Sequence, residues 1–110
     1  MRTDKAIRQS PDDIDGVLDH YGNRARVVQL WWSHGLAGRW VYIGRLRLAE
    51  YRPFDSFQEI VQAVFGGGWF RARVYGPWDR KRRREEYLEQ VTFGNGGPPT
   101  AETLSWVRRA

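Results

Sequence analysis

The chain has no cysteine. Disulfides, thiolate metal sites and a cysteine nucleophile are therefore excluded, and redox compartment is left unread. Histidine is nearly absent: His20 and His34 are the only two. A metal site would need carboxylates to complete it, and although Asp15 and Asp19 stand four residues apart beside His20, Asp19 and His20 point roughly 100° apart on a helix. No Ser-His-Asp set or paired-carboxylate arrangement stands out, so the expectation is a protein that is not an enzyme and uses no metal or cofactor. No apolar run approaches the roughly 20 residues of a membrane span. Met1-Arg2-Thr3-Asp4-Lys5 leads into no hydrophobic segment and does not read as a secretory signal. The expected location is the cytoplasm, of a host cell if the protein is viral.

Lysine is scarce as well. Only Lys5 and Lys81 occur among 18 cationic residues, so arginine carries the charge. Guanidinium groups favour bidentate and stacked contacts over point-charge attraction. The formal charge is +5, unevenly placed. Residues 1–22 hold three cations against five carboxylates, net −2, and the remainder holds fifteen against eight, net +7. A basic body of this kind suits a polyanion such as nucleic acid, an anionic membrane surface or an acidic partner. With 110 residues, 41% of them hydrophobic, the chain has material for a single folded domain with one modest core.

The most informative stretch is Trp69-Phe70-Arg71-Ala72-Arg73-Val74-Tyr75. Side chains alternate across a strand, so Phe70, Ala72 and Val74 enter a core while Trp69, Arg71, Arg73 and Tyr75 share the opposite face. Rings interleaved with guanidinium groups can stack on bases and neutralise phosphates together. A second basic feature is Arg80-Lys81-Arg82-Arg83-Arg84, expected in the connection after this strand and offset in part by Asp79, Glu85 and Glu86.

Residues 1–9 read as a flexible arm. Ser10-Pro11-Asp12-Asp13 is a helix start, with a cap, a first-turn proline and acids at the positive end of the dipole. Ile14, Val17, Leu18 and Tyr21 then make one apolar stripe. Arg24–Trp32 and Trp40–Leu48 read as strands around a glycine-containing loop. Ser56 and Glu59 form a capping-box pattern before a second stripe of Phe57, Ile60, Val61, Val64 and Phe65. Gly66-Gly67-Gly68 stops that helix. It is not a phosphate-binding P-loop, because it follows a helix and no lysine with Ser or Thr comes after it, but its lack of side chains would let another backbone approach closely. A third strand covers Trp69–Tyr75, Gly76-Pro77 marks a turn, and Tyr87–Phe93 is the fourth strand.

The expected fold is thus α+β: a four-stranded, mainly antiparallel sheet in the order helix–strand–strand twice, both helices covering one face and the other face open. Residues 10–94 form the domain, and 95–110 form a Gly/Pro linker and a short helix. Leu104, Trp106 and Val107 on that helix are candidate partner-binding residues, or fold back onto their own domain. Arg24-Ala25-Arg26-Val27 recurs as Arg71-Ala72-Arg73-Val74 at an offset of 47, which suggests an internal duplication and would bring Arg24 and Arg26 onto the open face. In the second strand, strict alternation puts Val41, Ile43, Arg45 and Arg47 on one side.

The element order resembles the core of LAGLIDADG-type homing endonucleases. The resemblance is confined to the fold, because Tyr21-Gly22-Asn23 stands where that family carries its acidic motif, and nuclease chemistry does not carry over. The functional expectation is a nucleic-acid-binding protein. Arg24, Arg26, Arg71, Arg73 and Arg80 to Arg84 would meet phosphates, and Trp69 and Tyr75 would stack. The alternative is a small virion or multiprotein-complex component whose aromatic surface, including Trp31, Trp32 and Trp40, and C-terminal tail meet protein partners or a second copy.

Overall fold

A computed structural model describes residues 14–51 and 56–109. The expected arm at 1–9 and helix cap at 10–13 lie outside the described residues. Helix α1 (Ile14–Tyr21) leads through a tight 3-10 turn into β1 (Val27–Ser33), and β2 (Val41–Arg47) returns beside it. Helix α2 (Phe57–Phe65), β3 (Trp69–Asp79), β4 (Arg84–Gly94) and α3 (Ala101–Arg109) complete the chain. The four strands form one antiparallel sheet in the order β2-β1-β3-β4.

The two hairpins meet through their first strands. Val28↔Val74, Leu30↔Ala72 and Trp32↔Phe70 are direct cross-strand pairs, and all six residues are buried. Cross-strand partners share a face, so this is the inner face. Ile14 and Val17 of α1, Phe57, Val61 and Phe65 of α2, and Trp106 and Val107 of α3 all join its cluster. All three described helices therefore lie over the same side of the sheet, one more than the sequence predicts, because the tail folds back. Of its two expected arrangements, the one realised has Trp106 against Phe65, ring centroids 5.3 Å apart.

Local chemistry explains the elements. The Ser56 hydroxyl accepts a hydrogen bond from the Glu59 amide at 3.2 Å, the expected cap of α2. Asp15 of α1 strengthens it: its carboxylate accepts from the Phe57 amide and the Ser56 hydroxyl, each at 2.7 Å, which binds the two helices together at the positive end of α2. The glycine run ends α2 and then accommodates the 94–100 segment. The Gly67 amide donates to Pro98 and the Thr100 amide to Phe65. A Cβ on Gly67 would stand 2.3 Å from the Gly97 carbonyl carbon, and one on Gly68 would stand 2.2 Å from Trp32 Nε1. Only glycine permits this approach. The Trp32 indole, fully buried, donates to the Gly67 carbonyl at 3.0 Å.

Two expectations change. Gly76-Pro77 is not a turn. β3 runs on to Asp79 with register irregularities between Val74 and Tyr75 and between Tyr75 and Trp78. Proline without a ladder donor fits such an irregularity. β4 likewise starts at Arg84, so both strands outrun β1, whose pairing with β3 ends at Tyr75. In β2, Ile43 is an extra residue between Gly44, opposite Leu30, and Tyr42, opposite Trp31. This bulge breaks strict alternation. Tyr42, Arg45 and Arg47 share the outer face, and Val41 and Leu46 turn inward. Inner positions are even-numbered in both β1 and β3. Arg24 ends the 3-10 turn, whereas Arg71 lies within a strand.

Candidate nucleic-acid interface

The register lays the outer face out in rows across all four strands. Tyr42, Trp31, Arg71 and Thr92 make one row; Arg45, Gln29, Arg73 and Gln90 the next; Arg47, Val27, Tyr75 and Tyr87 the third. Successive rows are two residues apart, about 6.8 Å. The expected group of Trp69, Arg71, Arg73 and Tyr75 does share this face. None of the three helices covers it.

Its members differ in how much they offer a ligand. The Arg71 guanidinium sits 4.2 Å from the Trp40 ring centroid and that of Arg73 sits 4.9 Å from Trp31, so both cations are stacked on tryptophan. Arg73 Nε also donates to Gln90 at 2.8 Å. Arg71 Nε is buried without a hydrogen-bond partner among the described residues. Trp69 is half-buried, with Gly96 of the linker against its indole nitrogen. Tyr75 is half-buried and meets Tyr87 edge to face at 5.7 Å. The more open rings are Tyr42 (49% exposed), Tyr87 (55%) and Trp78 (61%). Sequence reasoning did not select these three. Tyr42 was hidden by the bulge, and Trp78 and Tyr87 by the turn expected at Gly76-Pro77. Trp78 is directly opposite Glu85 and shares its face of the ribbon.

Glu85 is tied to Arg45 by two hydrogen bonds of 2.7 Å, one to each carboxylate oxygen. This link holds the Glu85 pKa below the usual carboxylate value and raises that of Arg45. Beneath it lies a depression of about 620 Å³, floored by Gln29 and Arg73 and flanked by Tyr75, Tyr87 and Arg84.

Arg24 and Arg26 are elsewhere. Arg24 pairs with Glu86, which alternates with Glu85 and Tyr87 and so points to the other side of β4. Hydrogen bonding to Glu86 raises the Arg24 pKa. Arg26 Nε donates to the Asn23 carbonyl at 3.0 Å and lines a separate depression with Ala25 and Ala49. The expectation that these two arginines join the open face is corrected: they precede β1 and follow the turn, not the strand alternation.

The basic run forms the tip of the β3–β4 ribbon. Asp79 shapes the turn, accepting from the Lys81 and Arg82 amides at 3.0 and 3.3 Å, and Arg83 takes the left-handed conformation at φ 57°. Glu85 and Glu86, expected to offset this run, are engaged by Arg45 and Arg24. Among the described residues the run's ion pairing is limited to a long Arg82–Asp79 contact at 3.8 Å. Arg80, Lys81, Arg83 and Arg84 are exposed. Leu104, Trp106 and Val107 lie with α3 on the helix-covered side.

No three His, Asp or Glu side chains come together as a metal site among the described residues. No helix described is long and apolar enough to cross a membrane. No known family matches the chain, and comparison with curated proteins and with solved structures gives no match either.

Proposed function

We propose that this is a non-enzymatic, cytoplasmic nucleic-acid-binding protein that holds its ligand on the outer sheet face and grips the phosphate backbone with the ribbon tip. The observation that carries the reading is the row pattern: open rings and arginines alternate on a face that none of the described helices covers. Stacking on such rings is worth about 1–3 kcal/mol per base, and clustered cations add affinity that falls with salt. The exposed cations of the tip, with little acidic partnering, supply that second component.

A mobility-shift titration with DNA and RNA at low and moderate salt tests the reading. Binding that weakens as salt rises is expected. No shift at tens of micromolar protein ends it.

Exposure of Trp78 at 61% also favours a second reading, an assembly component whose aromatic surface meets another protein or another copy of this chain. Light scattering separates the two: a strict monomer at high concentration weighs against self-assembly.

A further inference from the structure

Resting on the nucleic-acid reading, the geometry points to a narrower conclusion. We infer that the depression under the Arg45–Glu85 pair is a subsite for one unpaired nucleotide, and that Glu85 occupies the phosphate's place in the free protein.

Five observations converge. The volume of about 620 Å³ lies within the range of small-molecule sites. One wall is aromatic: Tyr87, 55% exposed, is backed edge-on by Tyr75 and offers its ring to a base. The floor is polar: Gln29 and Gln90 flank Arg73 in the register, and amide side chains can both donate to and accept from a base edge. The roof is an anion grip already closed on an anion. The fork-on-fork contact of Arg45 with Glu85 at 2.7 Å and 2.7 Å is the geometry with which arginine takes a phosphate. Arg84, exposed at the rim, supplies a cation without an ion-pair partner among the described residues.

The ligand is unpaired because a ring can stack on a base only where the base is not already stacked between duplex neighbours. In a duplex the bases follow one another at about 3.4 Å along each strand, and taking one out costs a few kcal/mol. The row of Tyr42 and Trp31 lies two rows from that of Tyr75 and Tyr87, about 14 Å away. A flexible single strand can span that interval with a splayed nucleotide at each aromatic row and the polar row between. Entry of the nucleotide exchanges one anion for another on Arg45: the phosphate takes the guanidinium and the Glu85 carboxylate swings to solvent.

The test is fluorescence anisotropy with a labelled oligothymidylate of about 20 nucleotides and a duplex of equal length, using the full chain and the variants Tyr87→Ala, Tyr87→Phe and Glu85→Gln. The single strand is expected to bind more tightly than the duplex. Tyr87→Ala should weaken single-strand binding roughly 5- to 150-fold, with little change for duplex, and Tyr87→Phe should restore it. Glu85→Gln should tighten single-strand binding several-fold, because it frees the guanidinium. All these side chains are partly exposed, and melting curves verify that each variant folds. If nucleic acid binds but duplex equals single strand and neither Tyr87→Ala nor Glu85→Gln changes affinity, the subsite is wrong while the broader reading stands. If no nucleic acid binds at all, both fail.

Discussion

Arg45 on β2 and Glu85 on β4 are joined by a two-pronged ion pair although β1 and β3 lie between their strands. The β3–β4 ribbon outruns β1, and its register irregularities bend it. The pair links that ribbon to the opposite edge of the sheet and closes the depression on one side.

The pair makes stability depend weakly on acid. Arg45 lowers the Glu85 pKa, so the folded state takes up this proton less readily than the unfolded chain. The contribution is complete above the unfolded value of about 4.3 and disappears as pH falls through the lower folded value. With side chains 47% and 25% exposed, it amounts to at most about 1 kcal/mol. Thermal melts of the wild type and Glu85→Gln should differ slightly at pH 7 and converge as the pH falls below the ordinary carboxylate range, with the difference shrinking in high salt.

On the proposed reading the ribbon tip contributes charge and not packing. Replacing Arg80, Lys81, Arg82 and Arg83 together by glutamine should leave the melting temperature nearly unchanged, since all four are exposed. The salt dependence of single-strand binding should flatten by about 0.7 in log–log slope for each phosphate that is no longer neutralised. An unchanged slope in the titration would place the phosphate-binding groups elsewhere.

Gly67 is packed directly against another stretch of backbone. A methyl group there would fall 2.3 Å from the Gly97 backbone, which belongs to the segment crossing the end of α2. Gly67→Ala should destabilise the protein by about 1–3 kcal/mol in urea unfolding. Gly35→Ala is the control, because nothing stands within 4 Å of its added methyl group.

A buried hydroxyl helps to fasten the tail. Thr103 is 1% exposed, and its Oγ1 donates to the Phe65 carbonyl at 2.9 Å. Thr103→Val keeps the shape and removes the donor, at a cost of about 1–3 kcal/mol. Amide exchange in α3 should accelerate ahead of exchange in β1 and β3, because α3 is held at one margin of the core. Equal acceleration everywhere would mean that the tail and the sheet open as one unit.

The legible parts of the chain were those with strong local chemistry. The stripe of Phe57, Val61 and Phe65 behind a Ser56 cap forms the predicted helix, and Trp69–Tyr75 alternates as predicted because both faces were marked by unlike residues. The illegible parts were the irregularities. Ile43 in β2 and Gly76-Pro77 in β3 each break the period of two, and no count along the sequence says whether such residues end a strand or kink it. That choice decides whether Tyr42, Trp78 and Tyr87 belong to the candidate site.

Sequence alone determined the class of fold, the absence of thiol chemistry and the concentration of arginine with aromatic residues, because periodicity, composition and capping are properties of neighbours along the chain. Tertiary structure decided which cations are available. Arg24 and Arg45 are occupied by Glu86 and Glu85, Arg71 and Arg73 are stacked on Trp40 and Trp31, and the tip remains largely without acidic partners. Such pairings join residues about 40 or 60 positions apart in sequence for Arg45 and Arg24, and only strand register brings them within reach.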